Sequence, residues 1–511
     1  MATDLQQHGA SIIDASEREA QIKSKWLRYA AYAGLVSFFV SLTAFNLVDV
    51  DIWHEMALIR ESLRAGHLLT RDVFAYTSTI NPTIHHEWGA GVIAYGLTRW
   101  FGGDSLLVVK FAIALLIGFL ALRCAESMGA DARLWTVLCP VAIYLGQFGF
   151  MSVIRAQAYS FLFAAGGFWI FEQDRRGDRR WWIAWLCIFP VWVNVHGGFV
   201  VGLGLLALYG VEQILSRGPF RHVLWVLAVS LAEVLINPFG TAYVRYMVRA
   251  LTMSRPHIQE WRPIWDYGVW WMVVFLAAVG LTVFAVAKFG VRRAPGLLMV
   301  VATAVEAALH FKMLPFFAIA WISHIPAYLQ QTSAGQWIVG FQQRRIKFVV
   351  SVWLFIAVIS MGNAVHWQFW RFRVPQSEAT YAYPVGAVEY LREQGFVGNL
   401  MVPFRQGAYV SWKLFPAVKV SVDSRYEVAY PEDWVDRTFK FYAGESGWRE
   451  TLAAYPTDAV LVPRSAPVAQ VMPQSGWHMV YKDGEFEVFA RPGLRLPDVD
   501  RTGESFAGVF P

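Results

Sequence analysis

At 511 residues the chain is long enough for two or three soluble domains, yet only 16% of it is charged and 56% is hydrophobic, against about 25% charged in an ordinary soluble protein. Mean hydropathy of +0.38 and an aromatic share of 16% exclude disorder, a collagen-like chain and a disulfide scaffold, and suit rings placed at two membrane interfaces. The formal charge of +6 divides at Trp367 into 29 basic and 21 acidic residues before it and 15 basic and 17 acidic after it. The excess lies in short clusters between apolar runs, which points to membrane orientation and away from nucleic acid.

In chain order, a polar segment, 1–28, ends in Lys23, Lys25 and Arg28 and leads into the apolar run Tyr29 to Val48. That run lacks the short apolar core and small-residue cleavage site of a secretory signal, so it is expected to stay as a first span. Further runs of membrane length follow at about 104–123, 132–150, 152–172, 181–194, 197–215, 223–238, 268–288, 296–311, 313–330 and 348–367, giving about eleven spans. Cys124, Cys139 and Cys187 lie in or beside these runs without metal or disulfide spacing and are read as core packing.

With a cytoplasmic N-terminus, the basic clusters at Arg123 and Arg133, at 174–180, at Arg217 and Arg221, at Lys288 to Arg293, and at Arg344 to Lys347 all fall inside, as the positive-inside rule requires. This parity needs the stretch 88–101 to lie at the outer surface without crossing. The outer loop 239–267 breaks the rule with Arg245, Arg249, Arg255 and Arg262, and an anionic ligand on that face is one reason for it to do so. After Trp367, strands at about 398–403, 417–422, 458–462, 478–482 and 486–490 alternate with helical stretches near 384–395, 406–413, 433–441 and 465–472, predicting a soluble α/β domain. The expected fold is thus an α-helical polytopic membrane protein: a segment 1–28, a membrane module 29–367 with a first outer loop 49–103, and an extracytoplasmic α/β domain 368–511.

The first outer loop is densest in polar residues, with Val-Asp-Val-Asp-Ile-Trp-His at 48–54, Arg71-Asp72, and His85-His86-Glu87-Trp88. Ile52, Met56, Ile59 and Leu63 recur at helical spacing, so 52–66 is predicted as an amphipathic helix resting on the bilayer and roofing the carboxylates. Carboxylates held there act either as a general base for an attacking hydroxyl or as ligands of a divalent ion. The bland alternative is that Asp49 or Asp51 merely caps the helix. Arg155, Asn194, His196, Asn237, Glu260, His310 and Lys312 reach the same side. Arginine or lysine there would clamp a phosphate, or else snorkel to the headgroups. Glu212, Glu233 and Glu306, within other spans, receive no role.

A first span followed by an acidic outer loop, an amphipathic helix, Gly-x-x-x-x-Arg-Asp-x-Phe-x-Tyr-Thr at 66–77 and His-Glu-Trp at 86–88 resembles the GT-C superfamily of polytopic glycosyltransferases, such as protein O-mannosyltransferases and lipid A aminoarabinose transferases. The match looks closest to a bacterial branch. Its ordered motifs are Arg-x-Gln at 155–157, Asn-x-His-Gly-Gly at 194–198, Asn-Pro-x-Gly at 237–240, Glu-Trp-x-Pro at 260–263 and Val-Asp-x-Arg-x-Glu at 422–427. The resemblance implies inverting transfer of a sugar from a polyprenyl-phosphate carrier to a glycan, lipid or protein acceptor on the outer side of the bacterial inner membrane. It maps the catalytic acid to Asp51, with Asp49 as the alternative, and a second acidic position to Asp72 or Glu87. Arg155, Lys312, Arg262 and His196 become the candidates for holding the donor phosphate. A divalent cation, Mg or Mn, is possible, with Asp51 and Glu87 as its candidate ligands. A transporter or flippase of an anionic lipid, or a non-catalytic scaffold with an outer binding domain, are the competing functions.

Overall fold

Runs of apolar residues as long as these must satisfy their backbone internally, and they do so as helices. The computed structural model describes residues 24–151, 155–256, 258–377 and 382–511, so most of the polar segment 1–28 lies outside the described residues. The helices are α1 (24–43), α2 (Val50–Ala65), α3 (Trp88–Phe101), α4 (Ser105–Ser127), α5 (Ala132–Gly146), α6 (Gln157–Arg175), α7 (Trp181–Val195), α8 (Phe199–Leu215), α9 (Arg221–Glu233), α10 (Thr241–Thr252), α11 (Val269–Phe289), α12 (Leu297–Leu309), α13 (Leu314–Gln330), α14 (Ser333–Arg344) and α15 (Ile346–His366). Each of the eleven predicted runs coincides with one of them. α4, α11 and α15 are long and apolar enough to cross a membrane by length and composition, and α7, α8 and α12 are shorter apolar helices. At 14 residues, α3 is about 21 Å long, too short for a hydrocarbon core of about 30 Å.

The bundle is built around α13. Every residue from Leu314 to Leu329 is buried, as befits a helix apolar on all sides, and α4, α5, α6, α11 and α12 pack around it. By contrast α15 leaves Phe355, Val358 and Ile359 exposed, a face suited to lipid. Cys124 and Cys139 are packed inside, as expected, whereas Cys187 is exposed. Two helices escaped the sequence pattern: α10 within the arginine-rich loop, and α14 after α13.

Beyond α15 the fold changes character. A two-stranded antiparallel ribbon pairs β1 (Val374–Pro375) with β8 (Ala507–Gly508). A six-stranded sheet contains β2 (Gly398–Met401), β3 (Val418–Val420), β4 (Ala459–Pro463), β5 (His478–Lys482), β6 (Phe486–Ala490) and β7 (Val499–Asp500) in the order β3-β2-β4-β6-β5-β7. β2 runs parallel to β3 and β4, while β6 is antiparallel to β4 and β5. Alternation along the strands feeds two cores. Leu400, Val420 and Leu461 face α16 (Val385–Glu393) and α17 (Gly407–Leu414), whereas Met401, Val460 and Phe489 face α18 (Glu432–Tyr442), α19 (Trp448–Ala453) and α20 (Val468–Val471). The predicted α/β sandwich is the observed one.

One expectation changes. α2 does not rest on a bilayer; it is enclosed between the bundle and the α/β domain. Ile52, Trp53, Met56, Ala57, Leu58 and Ile59 are all buried, more of the helix surface than one apolar stripe can cover. The ring of Trp53 packs 5.1–6.4 Å from those of Tyr383, Tyr409, Trp412 and Phe510. Arg60 Nη1 donates to the carbonyl of Trp412 at 2.8 Å. The first loop also joins the sheet edge, with Val420 N donating to Phe74 O at 2.9 Å and Tyr76 N to Val420 O at 3.1 Å. The carboxylates are therefore roofed by protein.

Candidate functional site

The site forms where α1 turns into α2. Asp49 is the N-cap of α2, its carboxylate accepting from the Asp51 amide at 3.0 Å. Capping thus falls to Asp49, and the Asp51 carboxylate turns to Arg155. Arg155 stands just before α6 and gathers three carboxylates: Glu260 at 2.7 Å, and Asp49 and Asp51 each at 3.4 Å. Lys312 approaches Glu260 at 3.7 Å and lies 4.1 Å over the Trp261 ring. Four segments far apart in sequence, the first loop, 155, 260 and 312, meet at the end of the bundle that bears the α/β domain.

Burial and charge compete there. Burial pushes Asp49 up to about 6 although Arg155 pulls it down, and Asp51 rises for the same reasons. Burial also disfavours a charged Glu260, but Arg155 and Lys312 outweigh it and hold the carboxyl at about 2. Lys312 is lowered, by burial against the pull of Glu260. The result is one firmly ionised carboxylate, Glu260, and two aspartates moved toward neutrality, the direction that makes a carboxylate a better base.

Glu87 heads a second cluster. Its carboxylate lies 3.4 Å from Nε2 of both His86 and His196. Burial opposes its charge, yet the His86 imidazole, by charge and by hydrogen bond, keeps it below the usual carboxylate range. The neighbouring Glu55, one turn after Asp51, is raised well above its usual range by burial and by Glu87, to which it hydrogen-bonds. It is a neutral acid beside an anion. Burial holds His196 neutral, down to about 4. Its Nδ1 accepts from the Gly198 amide at 2.9 Å, so Nε2 carries the proton and is turned to Glu87 as a donor. A Cβ at Gly198 would stand 2.5 Å from His196 Nδ1 and from Ser160 Oγ, which explains the Gly-Gly of Asn-x-His-Gly-Gly. His54, Glu55, His85, His86, Glu87 and Arg425 line a cavity of about 30 Å³, room for a single water.

Asp72 lies apart from both clusters. It pairs with Arg425 of the α/β domain, and its other oxygen accepts from the Ala75 amide at 2.7 Å. Arg425 in turn forks onto Asp423 at 2.7 and 2.8 Å. The carboxylate of Asp72 is thus committed to anchoring. Among the rule-breaking arginines, Arg255 pairs with Glu427 at 2.6 Å, while the side chains of Arg245, Arg249 and Arg262 are exposed. Arg425 is the arginine of the motif at 422–427, whereas Glu55 and Ser424 received no role from the sequence; Glu55 carried a signal in its i+4 spacing from Asp51. Among the described residues no group of three His, Cys, Asp or Glu side chains is placed to hold a metal ion. Asp51 faces a guanidinium and Glu87 two imidazoles.

No protein-family model and no curated protein matches the sequence. Solved structures with this architecture do exist. The oligosaccharyltransferase AglB of Archaeoglobus fulgidus, in complex with an inhibitory peptide and a dolichol-phosphate, matches with a TM-score of 0.59 at 10% identity, over 93% of this chain and 75% of that one. Its apo form matches with a TM-score of 0.55, at the same identity and coverage. The arabinofuranosyltransferase AftD from Mycobacteria matches with a TM-score of 0.53 at 14% identity, over 91% of this chain and 40% of that one. Identities this low speak for architecture alone, and the fold of this chain is the one these two transferases show.

Proposed function

We propose that the protein is an inverting glycosyltransferase that moves a sugar from a polyprenyl-phosphate donor to a glycan, lipid or protein acceptor. The observation that carries this reading is the cluster in which Asp51, relieved of capping by Asp49, sits 3.4 Å from Arg155, itself bound to Glu260 beside Lys312. A base and two cations at one end of a membrane bundle are what transfer from a lipid phosphate needs. The acceptor O–H or N–H gives its proton to Asp51 as its heavy atom bonds to the anomeric carbon. As that bond forms, the anomeric carbon–oxygen bond breaks, and its electron pair leaves on the phosphate. Arg155 and Lys312 take up the charge gathering there. With no nucleotide in the donor, no glycine-rich phosphate loop is required.

Under this reading Glu260 keeps the two cations in place until the phosphate exchanges with it. Asp49 caps and supports, His196 orients Glu87, and Arg262 stands at the rim. No step is routed through a metal. The basic clusters of the opposite loops support a bacterial inner-membrane protein with a cytoplasmic N-terminus and an extracytoplasmic α/β domain. A flippase would need buried charges able to open at both ends of the bundle, and at the opposite end Glu172 and Glu212 are paired through Arg175, and Asp174 is held by Trp182, Tyr209 and His222. Mass spectrometry of lipid extracts tests the proposal. A deletion strain and an Asp51→Asn strain should accumulate the same polyprenyl-phosphate sugar, and unchanged profiles in both would overturn it.

A further inference from the structure

The segment Val-Asp-Ser-Arg-Tyr-Glu at 422–427 follows β3 and touches three parts of the site. Arg425, only 4% exposed, is gripped by Asp423 and Asp72, and its guanidinium also donates to the Tyr430 hydroxyl at 3.1 Å. On the other side of Ser424, the Ser421 carbonyl accepts from Thr77 Oγ1 at 2.7 Å and from Trp434 Nε1 at 3.0 Å. Glu427 reaches Arg255 at 2.6 Å, on the loop that carries Glu260. Fastened before and after, the turn holds the half-buried Ser424 against α2. Its Oγ lies 3.3 Å from His54 Nδ1, on the α2 face that carries Asp51, whose ionised form the hydroxyl favours.

Donors and acceptors fit one arrangement. His54 and Asp51 are three residues apart, so they share a face of α2. A carboxylate only accepts, so the serine hydroxyl donates to Asp51. Its oxygen then accepts from Nδ1–H of a neutral His54. We propose that Ser424 is a positioning residue whose hydroxyl, bridging His54 and Asp51, holds the carboxylate of the base toward the acceptor. The α/β domain then completes the catalytic centre and is more than an appendage that binds acceptor. This rests on the transferase reading, with Asp51 as base.

The bridge also sets the pH response. Around Asp51 stand Asp49, Glu87 and Glu260, which oppose its ionisation, and Arg155 and Ser424, which favour it. Loss of the serine hydroxyl therefore moves the acid limb of activity to higher pH. Strains carrying the full chain as wild type, Asp51→Asn, Ser424→Ala or Ser424→Thr are grown at external pH 5.5 to 8 on the order of one unit apart. The polyprenyl-phosphate sugar in lipid extracts is compared with the level of membrane-inserted protein.

The expected result is that Ser424→Ala raises the accumulated donor about tenfold, most steeply at the acid end, while Ser424→Thr restores the wild-type profile. An Ala strain that matches wild type at every pH overturns the proposal. So does a Thr strain as impaired as Ala at full protein level. If Asp51→Asn itself accumulates nothing, the transferase reading falls and this proposal with it; if Asp51→Asn accumulates donor and Ser424→Ala does not, only this proposal falls. Should Ser424→Ala fail to insert, His54→Asn and His54→Leu test the same bridge. The Asn amide can donate in place of Nδ1 and should behave as wild type, and Leu should behave as the alanine variant was expected to.

Discussion

Two ionic clusters sit at opposite ends of the same bundle, and they are built differently. At the end away from the α/β domain, Asp174 accepts from Trp182 Nε1 at 3.0 Å, the Tyr209 hydroxyl at 2.6 Å and His222 Nε2 at 2.7 Å. Beside it Arg175 bridges Glu172 at 3.4 Å and Glu212 at 2.7 Å, and Glu212 also accepts from the Gly296 amide at 2.8 Å. Asp174 and Glu212 there each have short donors, at 2.6–3.0 Å. At the domain-bearing end three carboxylates share Arg155, two of them at 3.4 Å. The closed cluster ties α6, α7, α8, α9 and α12 together. The shared one keeps acid in excess and its cations exchangeable, which is what a site that must receive an anionic ligand requires. Glu212, given no role from the sequence, thus belongs to a fastening.

The sharpest way to break this contrast is Asp51→Asn. Turnover should fall by about a thousandfold, within the range that a positioned general base supplies, with membrane insertion unchanged. A variant that retains turnover would place the chemistry elsewhere. Asp49→Asn probes the same cluster through stability. The folded pKa of Asp49, about 6, lies above its usual 3.8, so its contribution is fully present below pH 4 and is lost as pH rises through 6. Asparagine caps as well as aspartate and carries no charge to bury. Asp49→Asn should therefore melt later than wild type above pH 6, by roughly 3 kcal/mol, with no gain below pH 4. Melting curves across that range in detergent decide it.

At the opposite end the expectation reverses. Asp174→Asn should lower stability by about 2 kcal/mol, since the buried donors Trp182 and Tyr209 and the half-buried His222 lose a charged acceptor, while turnover stays at the wild-type level. Loss of turnover at full protein level would revive a path through the membrane. The smallest expected effect is that of a chelator. Transfer assayed in membranes with and without it should be equal, because Arg155 supplies the counter-charge that a cation would bring. A strong fall would mean that the carboxylates rearrange around an ion.

The helices and the strands of the α/β domain were legible because hydrophobic period and length report local structure directly. The pairing of partners was not. Asp49 and Asp51 are indistinguishable as caps until the helix start is fixed at Val50. Asp72 looked like a second catalytic acid because its partner, Arg425, is 353 residues away, and nothing in local spacing announces it. α2 looked like a surface helix because its periodic apolar residues do not say whether lipid or protein will cover them. Trp53 lies outside that stripe and is nonetheless buried, its ring covered by those of Tyr383 and Tyr409.

By itself, then, the sequence determined that the chain is a membrane bundle with an α/β domain appended, and which end of the bundle carries the dense polar loop. These are properties of runs and periods, set by the cost of leaving apolar side chains in water and backbone amides in lipid. Tertiary structure alone decided which carboxylate caps, which anchors and which faces a cation. Those roles depend on distances of a few ångströms between residues hundreds of positions apart, and on burial that no single segment creates for itself.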